Sequence, residues 1–164
     1  MFKKILKWMV GAVVALVVTL ALVIGGVLLF RTEPLAIIPG GRLKGEDVTA
    51  PVTDWSFTEQ YLVVTLEVRP SDPYSVNTSS LLHDGVLYVP SGRGGDSRWA
   101  QFLLQDPTLR LRVGTKLYKV RATRVEDPML VRELYRGWEQ RYPSQAGRSA
   151  EESAQTWFFR IDAG

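Results

Sequence analysis

Tyr88-Val89-Pro90-Ser91-Gly92-Arg93-Gly94-Gly95-Asp96-Ser97-Arg98-Trp99-Ala100-Gln101-Phe102-Leu103-Leu104-Gln105-Asp106-Pro107 reads as the end of a strand, a glycine-rich loop and a helix in direct succession. Glycine at 92, 94 and 95 lets the backbone turn tightly and turn its N–H groups outward. Asp96 or Ser97 stands where a helix cap is wanted, and Trp99, Phe102 and Leu103 follow at spacings of three and four, on one helical face. Pro107 closes the helix, because the residue before a proline is driven out of the helical region. A helix start behind such a loop, flanked by Arg93 and Arg98, has the donors and the charge to hold a phosphate or another anion. A solvated connection between a strand and a packing helix would read the same way.

Working outward, the chain before this stretch predicts three strands. From Tyr61 to Arg69 the residues alternate, with Leu62, Val64, Leu66 and Val68 on a core face and Tyr61, Val63, Thr65, Glu67 and Arg69 on the other. Tyr74 to Leu82 is a second, more polar strand. Asp84-Gly85 is a tight-hairpin signal that returns the chain as Val86 to Val89. Beyond Pro107, Leu109, Leu111 and Val113 alternate with Arg110 and Arg112, and Tyr118, Val120 and Ala122 with Lys119, Arg121 and Thr123, around a turn at Gly114-Thr115. Asp127-Pro128 opens a helix whose apolar face is Leu130, Val131, Leu134, Tyr135 and Trp138, ending near Tyr142-Pro143. Ser149 to Ala154 is placed for a further helical turn, and Trp157, Phe159 and Ile161 mark a last strand.

At the amino terminus, Met9 to Phe30 carries no charge and is long enough to cross a bilayer as a helix. Lys3, Lys4 and Lys7 precede it, so the positive-inside tendency leaves the amino terminus in the cytoplasm and the remainder on the outer side of the cell membrane. The apolar run is longer than a signal peptide's, and Thr32-Glu33-Pro34-Leu35 lacks the small-residue pattern of a cleavage site. The expected organisation is a single-pass anchor over 1–31 with its span at about 9–30, a linker and lead-in over 32–54, and a domain over 55–164. The lead-in is rich in proline and glycine, and Ile37-Ile38 is expected to pack against the domain surface.

Composition excludes several kinds of chemistry. With no cysteine there are no disulfides, thiolate metal sites or cysteine nucleophiles, and His83 is the one histidine. No metal site, no catalytic acid–base pair and no nucleophile elbow is visible. The net charge of +3 belongs to the anchor: without Lys3, Lys4, Lys7 and Arg31, residues 32–164 sum to about −1. Nucleic acid is therefore not an expected partner. Positive charge is nonetheless concentrated between Arg93 and Arg124, where eight cations face only Asp96 and Asp106, and the basic pairs Arg110/Arg112 and Lys119/Arg121 are a second place for an anionic ligand.

The order β-β-β-α-β-β-α-β with hairpin connections predicts an α+β fold, a small, mostly antiparallel barrel with two helices behind a transmembrane helix. The run Leu87 to Gly95, then Ser97-Arg98-Trp99, Leu103-Leu104-Gln105-Asp106-Pro107 and the alternating hairpin, resembles the flavin- and deazaflavin-binding split β-barrels. These are the pyridoxamine-phosphate-oxidase-like proteins and the deazaflavin-dependent nitroreductases, and the likeness covers about Glu67 to Pro143. The resemblance implies a groove for FMN or a deazaflavin coenzyme, with Ser91, Arg93, Gly94, Gly95, Arg98 and Trp99 as cofactor-binding positions, and frequent homodimers. It further implies an oxidoreductase acting on a small acceptor such as a quinone or nitro compound, with the cofactor carrying the redox step. The nitroreductases have a Thr-x-Gly-Arg-Lys-Ser-Gly segment on the strand before the hairpin, whereas this chain has Tyr74-Ser75-Val76-Asn77-Thr78-Ser79-Ser80. The alternative is a non-catalytic envelope barrel that has lost the cofactor.

Overall fold

The computed structural model describes residues 2–29 and 33–164, with side chains over 7–26 and 33–164. Two compact units divide it, Met1–Thr32 and Glu33–Gly164. The first is helix α1 (Phe2–Leu29), whose stretch Lys7–Gly26 is long and apolar enough to cross a membrane. Phe30 and Arg31, at the expected end of the span, lie outside the described residues.

The second unit contains β1 (Glu46–Val48), β2 (Val64–Val68), β3 (Tyr74–Thr78), β4 (Leu81–His83), β5 (Val86–Ser91), α2 (Arg98–Gln105), β6 (Thr108–Val113), β7 (Lys116–Arg124), α3 (Pro128–Arg141), α4 (Ala150–Gln155) and β8 (Trp157–Ala163). Strands β2 to β8 form one curled antiparallel sheet in the order β3-β2-β6-β7-β8-β5-β4, and β1 adds in parallel to β7. The third helix of this unit, α4, exists because Ser149 and Glu152 make a reciprocal capping box.

The expected hairpins form for the expected reasons. Asp84 and Gly85 both take positive φ, 49° and 76°, as the two-residue turn between β4 and β5 requires. In β6 and β7 the alternating apolar positions Leu109, Leu111, Val113, Val120 and Ala122 are buried. They join Leu66, Leu87, Val89, Phe159 and Ile161 inside the curl, closed at one end by Trp99, Ala100 and Leu103 of α2. Asp127 accepts the Met129 N–H and Pro128 begins α3, which covers a second core made with Leu81, Tyr88, Leu134, Trp138 and Phe158.

Three expectations change. Strand β2 starts at Val64, and Leu62 and Val63 are exposed; its outward face is covered, so Thr65 and Glu67 are buried with the rest. The single strand expected over Tyr74–Leu82 is two: β3 pairs with β2, and β4 pairs with β5 at the opposite margin of the sheet. Ser79-Ser80 carries the chain across. Thr78 Oγ1 donates to the Pro90 carbonyl at 3.2 Å across this seam, and the Tyr142 hydroxyl accepts from Ser80 N–H at 3.2 Å while lying 2.8 Å from Ser80 O and 2.9 Å from Leu62 O. Tyr142→Phe removes that hydroxyl and leaves backbone groups unpaired, so it is expected to lower stability by about 1–3 kcal/mol in a urea titration. A loss under a few tenths would mean water replaces it.

The third change concerns 32–54. Although proline and glycine mark it as a linker, its described residues carry β1, the buried Leu43, and a two-way backbone pairing of Gly40 with Ser75. Arginines hold it: Arg110 donates to Leu43 O and Arg112 to Lys44 O, each at 3.2 Å. Arg112 also pairs with Glu33 at 2.8 Å, and its hydrogen bond holds the Glu33 carboxyl below its ordinary range. Ile37, by contrast, does not pack on the surface but stands 96% exposed.

Candidate functional site

The quoted loop lies on an open groove of about 370 Å³, walled by the residue 36–39 turn, β3, Ser79, the end of β5, Trp138 of α3 and Arg148. Of the six positions implied by the resemblance, Arg93, Arg98 and Trp99 line this groove. Arg93 and Arg98 are exposed. The Arg98 guanidinium lies over the Tyr74 ring, 5.2 Å from its centroid, while Trp99 is buried against Phe159.

Ser91, Gly94 and Gly95 are turned to the packing of the loop itself. The Ser91 hydroxyl is buried, donating to Gly94 O at 3.0 Å or to Ser97 Oγ at 2.7 Å. That contact occupies Ser97, which is the residue preceding α2 yet makes no side-chain cap. Gly94 has φ +48° and sits against Gln155 O and the Trp157 ring; Gly95 is pressed on the same ring. The glycines are required here by close approach to the start of β8.

Arg148 and Trp138 also line the groove and are not among the positions implied by the resemblance. Arg148 donates to Gly92 O at 2.9 Å with its guanidinium 5.8 Å from the Trp138 ring, and Trp138 donates from Nε1 to Ser79 Oγ at 2.9 Å. The signal for Arg148 was its being the one cation in the small, polar run Ser144–Ser153. Arg93 and Arg98 from the glycine-rich loop and Arg148 from the residues before α4 thus converge on one groove. No Asp or Glu lines it, and among the described residues none of the three makes an ion pair. The basic hairpin differs, since Arg110 and Arg112 are consumed by Glu67, Glu33 and backbone carbonyls. Three guanidinium groups without a carboxylate beside indole and phenol rings suit a phosphate joined to a flat, partly apolar group.

No family model matches the chain, and no curated protein does. Solved structures do. A pyridoxamine 5'-phosphate oxidase-like protein from Listeria innocua is similar at 22% identity over 65% of this chain and 86% of its own, with a TM-score of 0.51. An F420-H2-dependent reductase aligns at 14% identity over 74% of this chain and all of its own, also at 0.51. A nimC/nimA family protein from Clostridium acetobutylicum follows at 14% over 64% and 76%, at 0.50. At these identities the likeness establishes the fold.

Proposed function

We propose that this chain, which shares the fold of the flavin- and deazaflavin-type split barrels, is an oxidoreductase-like protein that holds FMN or a deazaflavin coenzyme in the groove of Arg93, Arg98 and Arg148. The observation that carries the reading is the convergence of Arg93, Arg98 and Arg148 on a groove that no carboxylate lines. These cations would bind the cofactor phosphate, and Tyr74, Trp99 and Trp138 would supply apolar walls for its ring system. Arg148 would supply the groove with charge that Tyr74–Ser80 lacks. Bound there, the cofactor would carry the electrons to a small acceptor, a quinone or nitro compound, while the protein orients and shields it. In this reading α1 anchors the domain as a single pass with the amino terminus in the cytoplasm, following Lys3, Lys4 and Lys7, and a second copy covers the open side of the groove.

The absence of any cation on β3 favours a second reading, a barrel that binds an anionic ligand without turnover. Titration of the detergent-solubilised chain with FMN and with the deazaflavin coenzyme, followed by cofactor fluorescence, separates the two. Binding is expected, and Arg98→Ala or Arg148→Ala should each weaken it by about tenfold or more, the worth of one charge-assisted hydrogen bond. If neither cofactor binds, or both variants bind like the parent chain, the flavin reading fails.

A further inference from the structure

We infer that the turn Leu35–Ile38 is a lipid-contacting tip that rests in the headgroup boundary of the bilayer. The inference rests on α1 being a membrane span, as proposed above.

The tip is built rather than loose. Leu35 and Ile38 exchange backbone hydrogen bonds of 3.1 and 2.8 Å, with Ala36 at φ +50° between them. Asn77 Nδ2 supports it from β3, 3.4 Å from Pro34 O and 3.3 Å from Ala36 O, and the Gly40–Ser75 pairing fixes its far end. On this support Ile37 is 96% exposed and Leu35 69%. Transfer of these apolar side chains from water to an apolar surrounding is favourable, and the rigid tip has no ordering cost left to oppose it.

Lipid is the occupant that the chain itself supplies. Pro34 to Gly41 contains no charge, so nothing in the tip opposes transfer from water. Only five residues separate Leu29, the end of α1, from Leu35, at most about 3.6 Å of chain each. In an anchored chain this tether bounds the reach of the tip to about six residue steps from the end of α1, and apolar side chains that meet an interface are driven into the headgroup and acyl boundary. The same turn, from Ala36 to Pro39, is a wall of the groove.

The chain has no cysteine, so one introduced at position 37 can be labelled alone. The full chain carrying Ile37→Cys or, as a reference, Met129→Cys would be labelled with an environment-sensitive fluorophore and reconstituted in phosphatidylcholine–phosphatidylglycerol vesicles; Met129 is 63% exposed on α3. The label at 37 is expected to shift to the blue, to be quenched by lipid-borne nitroxides at least twofold more than the label at 129, and to resist iodide. Equal iodide quenching at both positions, in chains that float with vesicles through an alkaline wash, overturns the contact while leaving the anchor intact. Protection from iodide without nitroxide quenching also overturns it, since protein then covers the tip. Chains that fail to float overturn the anchor and the contact together.

Discussion

Alanine at Gly94 is expected to be among the most damaging single methyl additions in the domain, with a loss of about 2–5 kcal/mol. Two effects combine. The backbone at 94 is left-handed, φ +48°, which costs an L-residue about 1–2 kcal/mol. The added Cβ also lands on the Gln155 carbonyl and within 3.1 Å of Trp157, and neither the backbone carbonyl nor the ring can withdraw freely. Overpacking of that kind adds roughly 1–3 kcal/mol. Gly85→Ala provides the comparison: its φ is +76° with nothing within 4 Å of the new Cβ, so it isolates the conformational part. Urea midpoints of the two variants in the full chain decide the matter. If Gly94→Ala loses no more than Gly85→Ala, the close packing of the loop on β8 is not what holds it.

Glu67→Ala is the second large effect, expected at about 3–5 kcal/mol. The Glu67 carboxylate is buried and accepts from Leu43 N–H and from Arg110 Nη1 at 3.2 and 3.3 Å, with Arg42 3.9 Å away. Its removal leaves the Arg110 guanidinium, whose Nε is already buried and unpaired, with Asp47 at 3.9 Å as its remaining carboxylate, and releases the amide that fastens the lead-in. The damage should therefore be regional. Hydrogen exchange at Leu43 and Lys44 is expected to quicken well before exchange in β6 and β7 changes. Glu67→Gln keeps acceptor and shape and should lose less. A stability change under about 1 kcal/mol in Glu67→Ala, with the Leu43 amide still protected, would show that the pair is not the fastening.

Much of the barrel is legible in the residues because its signals are local. The alternation in Leu109–Val113 and Tyr118–Thr123, the Asp84-Gly85 turn and the Asp127-Pro128 helix start each specify their element within a few positions. The lead-in is not legible, since its order depends on Arg110 and Arg112, about seventy residues downstream, and on one buried leucine. The break between β3 and β4 is hidden for a related reason. Ser79-Ser80 is as polar as the residues before it, and the groups that hold the seam, the Tyr142 hydroxyl on Ser80 and Trp138 Nε1 on Ser79, come from a distant helix end. At the site, charge beside glycine made the 91–99 loop visible, but not its division of labour: Ser91, Gly94 and Gly95 hold the loop while Arg93, Arg98 and Trp99 face the groove. Arg148 enters only through the tertiary fold.

The seam at Ser79-Ser80 also bears on how the barrel assembles. The pairings β2–β3, β4–β5 and β6–β7 join neighbours in sequence and can form independently. Leu66 opposite Leu111, and Leu87 opposite Ile161, join distant segments, and their loop-closure entropy makes them the slow events. Until both are made, β2 and β5 each present a bare edge on either side of a two-residue hinge. A nascent chain in that condition is a pair of sticky ribbons, open to strand exchange with its neighbours, and only completion of the curl withdraws the invitation.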